Sequence, residues 1–289
     1  MTKYGTRQWT GLLLGPFLFV VIMIAAGYAG LEPAQRWAAA TVVLMAVWWI
    51  TEPVPLWATA SMPLVIFPLS GVATFFPVVL QYFDPVNFLF LGGMLIAAAM
   101  QQWGLHRRIA LTIVDTIGTS PRRIVLGFML GTGFISMWIS NTATTMMMYP
   151  IGMAVLLKLA EHRSAEDVEL RHFGLALMLG IAYGASIGGI GTKIGTAPNL
   201  VFVKLAGPVL GHDVDFITWL KVGLPIVIIA LPLVWWYLVR IAAPVPAEGF
   251  AGGAEAIAAE REGLGSMNRG ERVALVAFLL AALLWVFRK

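Results

Sequence analysis

Apolar runs of bilayer length dominate the chain, and they confine it to few architectures. Residues 11–30 carry no charged side chain over about 20 positions, enough for a helix to cross a ~30 Å hydrocarbon core. Further apolar segments follow at residues 37–50, 56–72, 86–100, 124–139, 143–157, 173–187, 194–206, 222–241 and 273–287. In lipid every backbone N–H and C=O must be satisfied inside the protein, so runs of this kind span as helices. The pattern predicts an all-α polytopic membrane protein. Composition agrees, with 59% of residues hydrophobic and only 12% charged, where a soluble domain carries about 25% charge. Lys3, Arg7 and the small residues Gly27 and Ala29 also match a signal peptide, but the many later spans need no cleaved leader. The chain has no cysteine, which excludes disulfides, thiolate metal centres and cysteine nucleophiles.

Four segments are short for a crossing: 124–139, 143–157, 173–187 and 194–206. The first pair predicts a re-entrant helical hairpin and the second a broken transmembrane helix. With the N-terminus in the cytoplasm, Lys3, Arg7, Arg107, Arg108, Arg122, Arg123, Lys158, Arg163, Arg171, Arg240, Arg261, Arg269 and Arg272 collect on the inner side. Only Arg36, Lys204 and Lys221 stay outside, as the positive-inside rule requires. The net charge of +4 therefore reads as topology and not as nucleic-acid binding. Residues 244–270 form a polar cytoplasmic linker whose stretch 254–262 suits a short surface helix. Residues 106–118 mix basic and apolar side chains and suit the membrane interface.

Each short pair is interrupted by a polar knot. The first is "WISNTATTMMMYP" (138–150), with Ser136 one turn before Ser140 and with Gly131 and Gly133 in the same limb. An unpartnered hydroxyl or amide in an apolar medium costs on the order of several kcal/mol, so these groups need partners. Singly, each would serve as helix–helix glue. The second knot, "SIGGIGTKIGTAPN" (186–199), is too rich in glycine to continue a membrane helix at ordinary stability. Non-helical backbone at membrane depth survives where protein or a water-filled cavity satisfies it. Discontinuous helices are how secondary transporters build sites near the midplane. Carbonyls and hydroxyls there suit a small hard cation, and the helix N-termini near Ala143 and Pro198 suit a carboxylate. Pro198 fits the first turn of a restarted helix, with Thr196 as candidate cap.

"SNTATTMMMYPIG", "GGIGTKIGTAPNLV" and "WWITEPVPL" together resemble the divalent anion–sodium symporter family of dicarboxylate, citrate and sulfate carriers. The resemblance covers essentially the whole chain as that family's N-terminal half, the first half of an inverted-repeat transporter. It implies a homodimer that moves a transport domain against a scaffold in an elevator-like cycle, in the inner (plasma) membrane. Scaffold-type helices would occupy residues 1–120 and the transport-type region 121–243, with the linker at 244–270 and the start of a second-repeat helix at 271–289. The cargo would be a small anion such as succinate, malate, fumarate, citrate or sulfate, most plausibly a C4-dicarboxylate, with Na+ as coupling ion. Ser140, Asn141 and Thr142 at the hairpin tip, with Thr196, Pro198 and Asn199, would face the substrate. Ser136, Ser140, Asn141, Gly189 and Thr192 would hold sodium. The second repeat, with its own hairpin and sodium site, lies outside this sequence, so the chain is expected to be a fragment in preference to a half-transporter that must pair.

Lys193 at membrane depth is costly, by ~3 kcal/mol on insertion scales. Its ammonium could replace the coupling cation and convert symport into sodium-independent exchange, or it could snorkel to water from a wet loop tip. Other readings are a non-transporting half-subunit and, from "GASIG" (184–188), an intramembrane serine hydrolase using Ser186. The hydrolase needs a base near Ser186, and with His106, His162, His172 and His212 in loops or segment ends only Lys193 is left as a partner. Glu52 reads as a helix-end carboxylate, Asp84 and Asn87 as a cap for the fourth span, and Asp115 as solvated or ion-paired with Arg107 or Arg108.

Overall fold

The computed structural model describes residues 4–161, 167–211, 214–247 and 253–287. Among the described residues every regular element is helical, and six helices are long and apolar enough to cross a membrane. His162, Arg163 and His212 lie outside the described residues. The chain divides into two compact units, Met1–Asn87 and Phe88–Lys289.

In the first unit α1 (Thr6–Tyr28) packs along α2 (Pro33–Thr51). Gly11 and Gly15 face the side chains of Thr51 and Trp48, where a Cβ would collide. Helix α2 ends on Glu52 in the left-handed region, φ 49°, ahead of Pro53 and Pro55. Glu52 pairs with Arg7 at 3.5 Å, but both side chains are more than half exposed, so the pair adds little stability. The apolar run read as one segment at 56–72 divides into α3 (Leu56–Ala60) and α4 (Met62–Leu69). Pro63, without an N–H, cannot carry the ladder across the join. Helix α5 (Phe75–Tyr82) follows, and the Asn87 carboxamide donates to its last carbonyls, Gln81 O at 3.0 Å and Tyr82 O at 3.2 Å. Asn87 therefore closes α5, where the sequence suggested that it opens the next helix.

The boundary between the units falls inside α6 (Pro85–Gln102). Beyond it come α7 (Leu105–Ile117), α8 (Pro121–Ser136), α9 (Asn141–Ala160) and α10 (Val168–Gly188). Helices α11 (Ala197–Leu210), α12 (Phe216–Tyr237), α13 (Gly253–Glu262) and α14 (Arg269–Phe287) complete it. Both α9 and α10 extend past the apolar segments read from sequence and reach spanning length. The reason for α10 is its cap: Asp167 accepts from the N–H groups of Glu169 (2.9 Å) and Leu170 (3.3 Å), so polar residues join the first turn. Helix α8 lies at the centre of this unit, between α7 and α10. Its side chains Ile124, Val125, Phe128 and Met129 are wholly buried with Phe173, Leu177 and Ile181 of α10.

Helix α7 is held by charge to the linker and to α14. Arg108 grips Glu271 through Nε (2.8 Å) and Nη2 (3.1 Å) and donates to the carbonyls of Gly265 and Leu264. Glu271 also closes a reciprocal cap with Asn268, each N–H donating to the other side chain at 2.8 Å. Arg107 pairs with Glu260. Asp115 pairs with Arg261 of the linker helix, not with the neighbouring arginines that the sequence suggested. A one-dimensional reading favours near partners; the fold brings α13 onto α7.

His106, at the start of α7, lies 3.1 Å from the Met100 carbonyl through Nδ1. Burial pushes its imidazole below the ordinary value of 6.5; the Met100 hydrogen bond opposes that shift and the Arg107 charge adds to it. A base depressed in the fold stays neutral while the unfolded chain takes the proton first. Stability present above pH ~6.5 is therefore lost as pH falls through that value, until the folded ring itself titrates. The melting temperature in detergent is expected to drop between pH 7.5 and 5.5 by more in the wild type than in His106→Gln. Equal drops would remove His106 as the cause.

Candidate functional site: two broken helices that meet

The first break follows α8. Met137, Trp138 and Ile139 turn on hydrogen bonds to Gly133 and Ile135 carbonyls, and Ser140 then adopts extended backbone, φ −56° and ψ 144°. As N-cap of α9, Ser140 accepts from the Ala143 N–H at 3.4 Å through its hydroxyl and from the Thr144 N–H at 2.9 Å through its carbonyl. That cap explains the serine of the Ser-Asn-Thr run: it ends one helix and starts another. Ser140 and Thr142 are exposed at the tip and Asn141 is half-buried. The N-terminus of α9 thus presents N–H groups and a positive dipole end.

The second break runs from Gly189 to Gly195, between α10 and α11. Thr196 occupies the N-cap position and Pro198 the first turn, as the sequence suggested, but the Thr196 hydroxyl makes no capping bond.

The two breaks touch. The Ser136 hydroxyl, fully buried, donates to the Asn141 Oδ1 at 2.8 Å, and the Asn141 carboxamide lies against Gly189 so closely that a Cβ there would overlap it. The Thr192 hydroxyl donates to the Met137 carbonyl. At Gly195 a Cβ would stand 2.5 Å from the Gly189 carbonyl oxygen and 2.9 Å from that of Ser136. Ser136, Asn141, Gly189 and Thr192 therefore form one cluster of neutral oxygens. Hard, weakly polarising cations favour such oxygen donors. Two more hydroxyls, Thr132 one turn before Ser136 and Thr144 one turn after Ser140, are fully buried without a hydrogen-bond partner.

Beside the tip is a cavity of about 220 Å³, lined by Ser140, Trp138 and Ala143 of the hairpin, Gln101 and Ala97 of α6, and Ile194. That is several times the ~30 Å³ share of one water molecule. Lys193 turns elsewhere: its ammonium donates to the Val214 carbonyl at 2.7 Å, near the start of α12. Asp215 there is held below the usual carboxylate range, chiefly by the Thr218 N–H at 2.6 Å, with Lys193 and Lys221 adding to it. Ser186 is exposed on α10.

What sequence reasoning missed is the contact that brings the breaks together. Gly184 and Gly188 of α10 lie on the backbone of Met129 and Gly133 in α8, with no room for a side chain. The signal was present, since Gly180, Gly184 and Gly188 recur every fourth residue, as do Gly127 and Gly131.

The chain is 40% identical over 289 residues to the sodium-dependent dicarboxylate transporter SdcS of Staphylococcus saprophyticus, covering 99% of this chain and 56% of that protein. It is 38% identical over 288 residues to SdcS of Staphylococcus aureus, covering 99% of this chain and 55% of the relative. The chain thus spans about half the length of the curated relatives it matches. The model of the sodium:sulfate symporter transmembrane region matches residues 6–289. That match takes in both helix breaks, and the chain belongs to this family of membrane transporters.

Proposed function

We propose that this chain forms the first half of a sodium-coupled carrier of small dicarboxylates, with C4 diacids as the preferred cargo. The observation that carries the reading is the junction of the two breaks, where Ser136 and Asn141 of one meet Gly189 of the other. A cation at Ser136, Asn141, Gly189 and Thr192 would neutralise the lone pairs gathered there and fix the hairpin tip. The fixed tip, Ser140 to Thr142, then offers its hydroxyls and the α9 N-terminus to a substrate carboxylate, with Thr196 and Pro198 at the start of α11 close in sequence to the cation site. Each ligand raises the affinity for the other because each stabilises the same tip geometry, and that coupling is reciprocal. Transport follows from different affinities in inward- and outward-facing states, with no covalent step. The family is one of transporters and not enzymes, so Ser186 has no hydrolytic role.

In this reading residues 1–120 act as scaffold and 121–243 as the moving region, in a homodimer in the plasma membrane with the N-terminus in the cytoplasm. The linker read at 244–270 leads into α14, which starts at Arg269 and would be the first helix of a second repeat. The Lys193 ammonium donates to the Val214 carbonyl, a bond that exchange through Lys193 would have to break, and this supports sodium coupling over exchange. The test is uptake of labelled succinate by the native protein in liposomes, with a sodium gradient or with choline replacing sodium. Uptake that requires sodium supports the carrier; equal uptake in both media refutes coupling, and none in either refutes the substrate class.

A further inference from the structure

Asn199 stands at the third position of α11 and is only 7% exposed. A carboxamide has two N–H donors on one nitrogen. In Asn199 that nitrogen bridges two carbonyls of the second break, Gly189 O at 2.8 Å and Thr192 O at 2.8 Å. Those carbonyls stand three residues apart in the break, and the shared nitrogen ties one to the other. The adjoining carbonyls are held as well: the Trp219 indole donates to Ile190 O at 2.9 Å, and the Gly191 N–H to Gly188 O at 2.8 Å. Thr192 in turn ties the break to the hairpin through Met137 O.

We infer that Asn199 is a positioning residue for the coupling cation, a brace that aims the Gly189 carbonyl at the Ser136–Asn141 cluster, and not a substrate ligand. The inference rests on the sodium-coupled reading above. A carbonyl oxygen has two lone pairs. With Asn199 occupying one of them on Gly189, the other is directed by the same bond, and the loop cannot rotate it away. Both side-chain donors are spent on backbone, and the residue is buried, so neither donor reaches a dicarboxylate. Without the bridge the Gly189 and Thr192 carbonyls lose their side-chain partner, and the break relaxes toward whatever geometry satisfies them. The cation then meets a site that must reorganise before it binds.

The measurement is succinate uptake by the intact protein in liposomes, titrated with sodium at saturating succinate and with succinate at saturating sodium. Asn199→Ala is expected to raise the half-saturating sodium concentration ~10-fold, the equivalent of about 1.4 kcal/mol. The half-saturating succinate concentration at saturating sodium should stay within about twofold, since a filled cation site restores the tip. Asn199→Ser, which keeps one donor, should fall between. A separate readout needs no substrate: the melting temperature in sodium chloride against choline chloride, where the rise seen in the wild type should shrink in both variants. If Asn199→Ala is not recovered folded, the serine variant decides. A raised succinate requirement at saturating sodium with an unchanged sodium titration would overturn the inference and make Asn199 a substrate contact. So would two unchanged titrations. If wild-type uptake ignores sodium, the sodium-coupled reading itself fails and the brace falls with it. A sodium-dependent wild type with unshifted variants sinks the brace alone.

Discussion

Asn141→Ala is expected to lower sodium-dependent succinate uptake by about 100-fold at a fixed, moderate sodium concentration. Two losses act together. The carboxamide oxygen that accepts from Ser136 at 2.8 Å disappears, leaving a fully buried hydroxyl without its partner. A buried donor stripped of its acceptor costs about 1–3 kcal/mol. The candidate cation also loses a side-chain oxygen, and interactions with charged groups are worth roughly 1.5–3 kcal/mol each. A total near 2.7 kcal/mol corresponds to about 100-fold in a binding constant. Part of the loss should return at high sodium, since a weakened site still fills by mass action. Uptake within about threefold of wild type at moderate sodium would mean that the Ser136–Asn141–Gly189 junction is not where the ion sits. Asn141→Asp separates the terms, because it keeps an oxygen acceptor for Ser136 while adding a charge.

The largest structural effect is expected from Gly188→Ala. A methyl group there would overlap the carbonyl oxygen, carbonyl carbon and Cα of Gly133, all backbone atoms of α8 that cannot rotate aside. Overpacking costs about 1–3 kcal/mol where side chains can shift, and the upper end or more is expected where two helices must separate. We expect a loss of about 3 kcal/mol in detergent and a matching fall in the folded fraction on size-exclusion chromatography. The same separation would pull Gly189 away from Asn141, so the surviving protein should also need more sodium. Gly92→Ala on α6 is the contrast: an added Cβ meets nothing within 4 Å, and helix propensity alone favours alanine by ~1 kcal/mol. A Gly188→Ala protein as stable as wild type would show that α8 and α10 do not depend on this contact.

The legible part of the site was its chemistry. A Ser-Asn-Thr run inside an apolar stretch and a glycine-rich break ahead of "TAPN" stand out because hydropathy makes polar residues at membrane depth conspicuous. The helix restart was legible too, since Pro198 lacks an N–H and its fixed φ suits the first turn. Roles within the site were less so. Asn199 sits beside Thr196 and Pro198 in the chain and reads like them from sequence; its burial and its two carbonyl partners separate it from them. Lys193 is another such case, since a lysine in a break gives no hint that its ammonium reaches the Val214 carbonyl.

The sequence by itself determined the class of protein, the places where helices break and the residue types gathered at each break. Those are local properties: hydrophobicity, helix propensity and capping act within a turn or two of the residue concerned. The tertiary structure alone decided that the two breaks meet, that Asp115 belongs to Arg261, and that Asn199 donates to two backbone carbonyls. The Asn199 bonds depend on how the break folds back onto the start of α11; the other two depend on how closely helices approach. That distance is governed by contacts such as Gly188 on Gly133, between residues far apart in the chain.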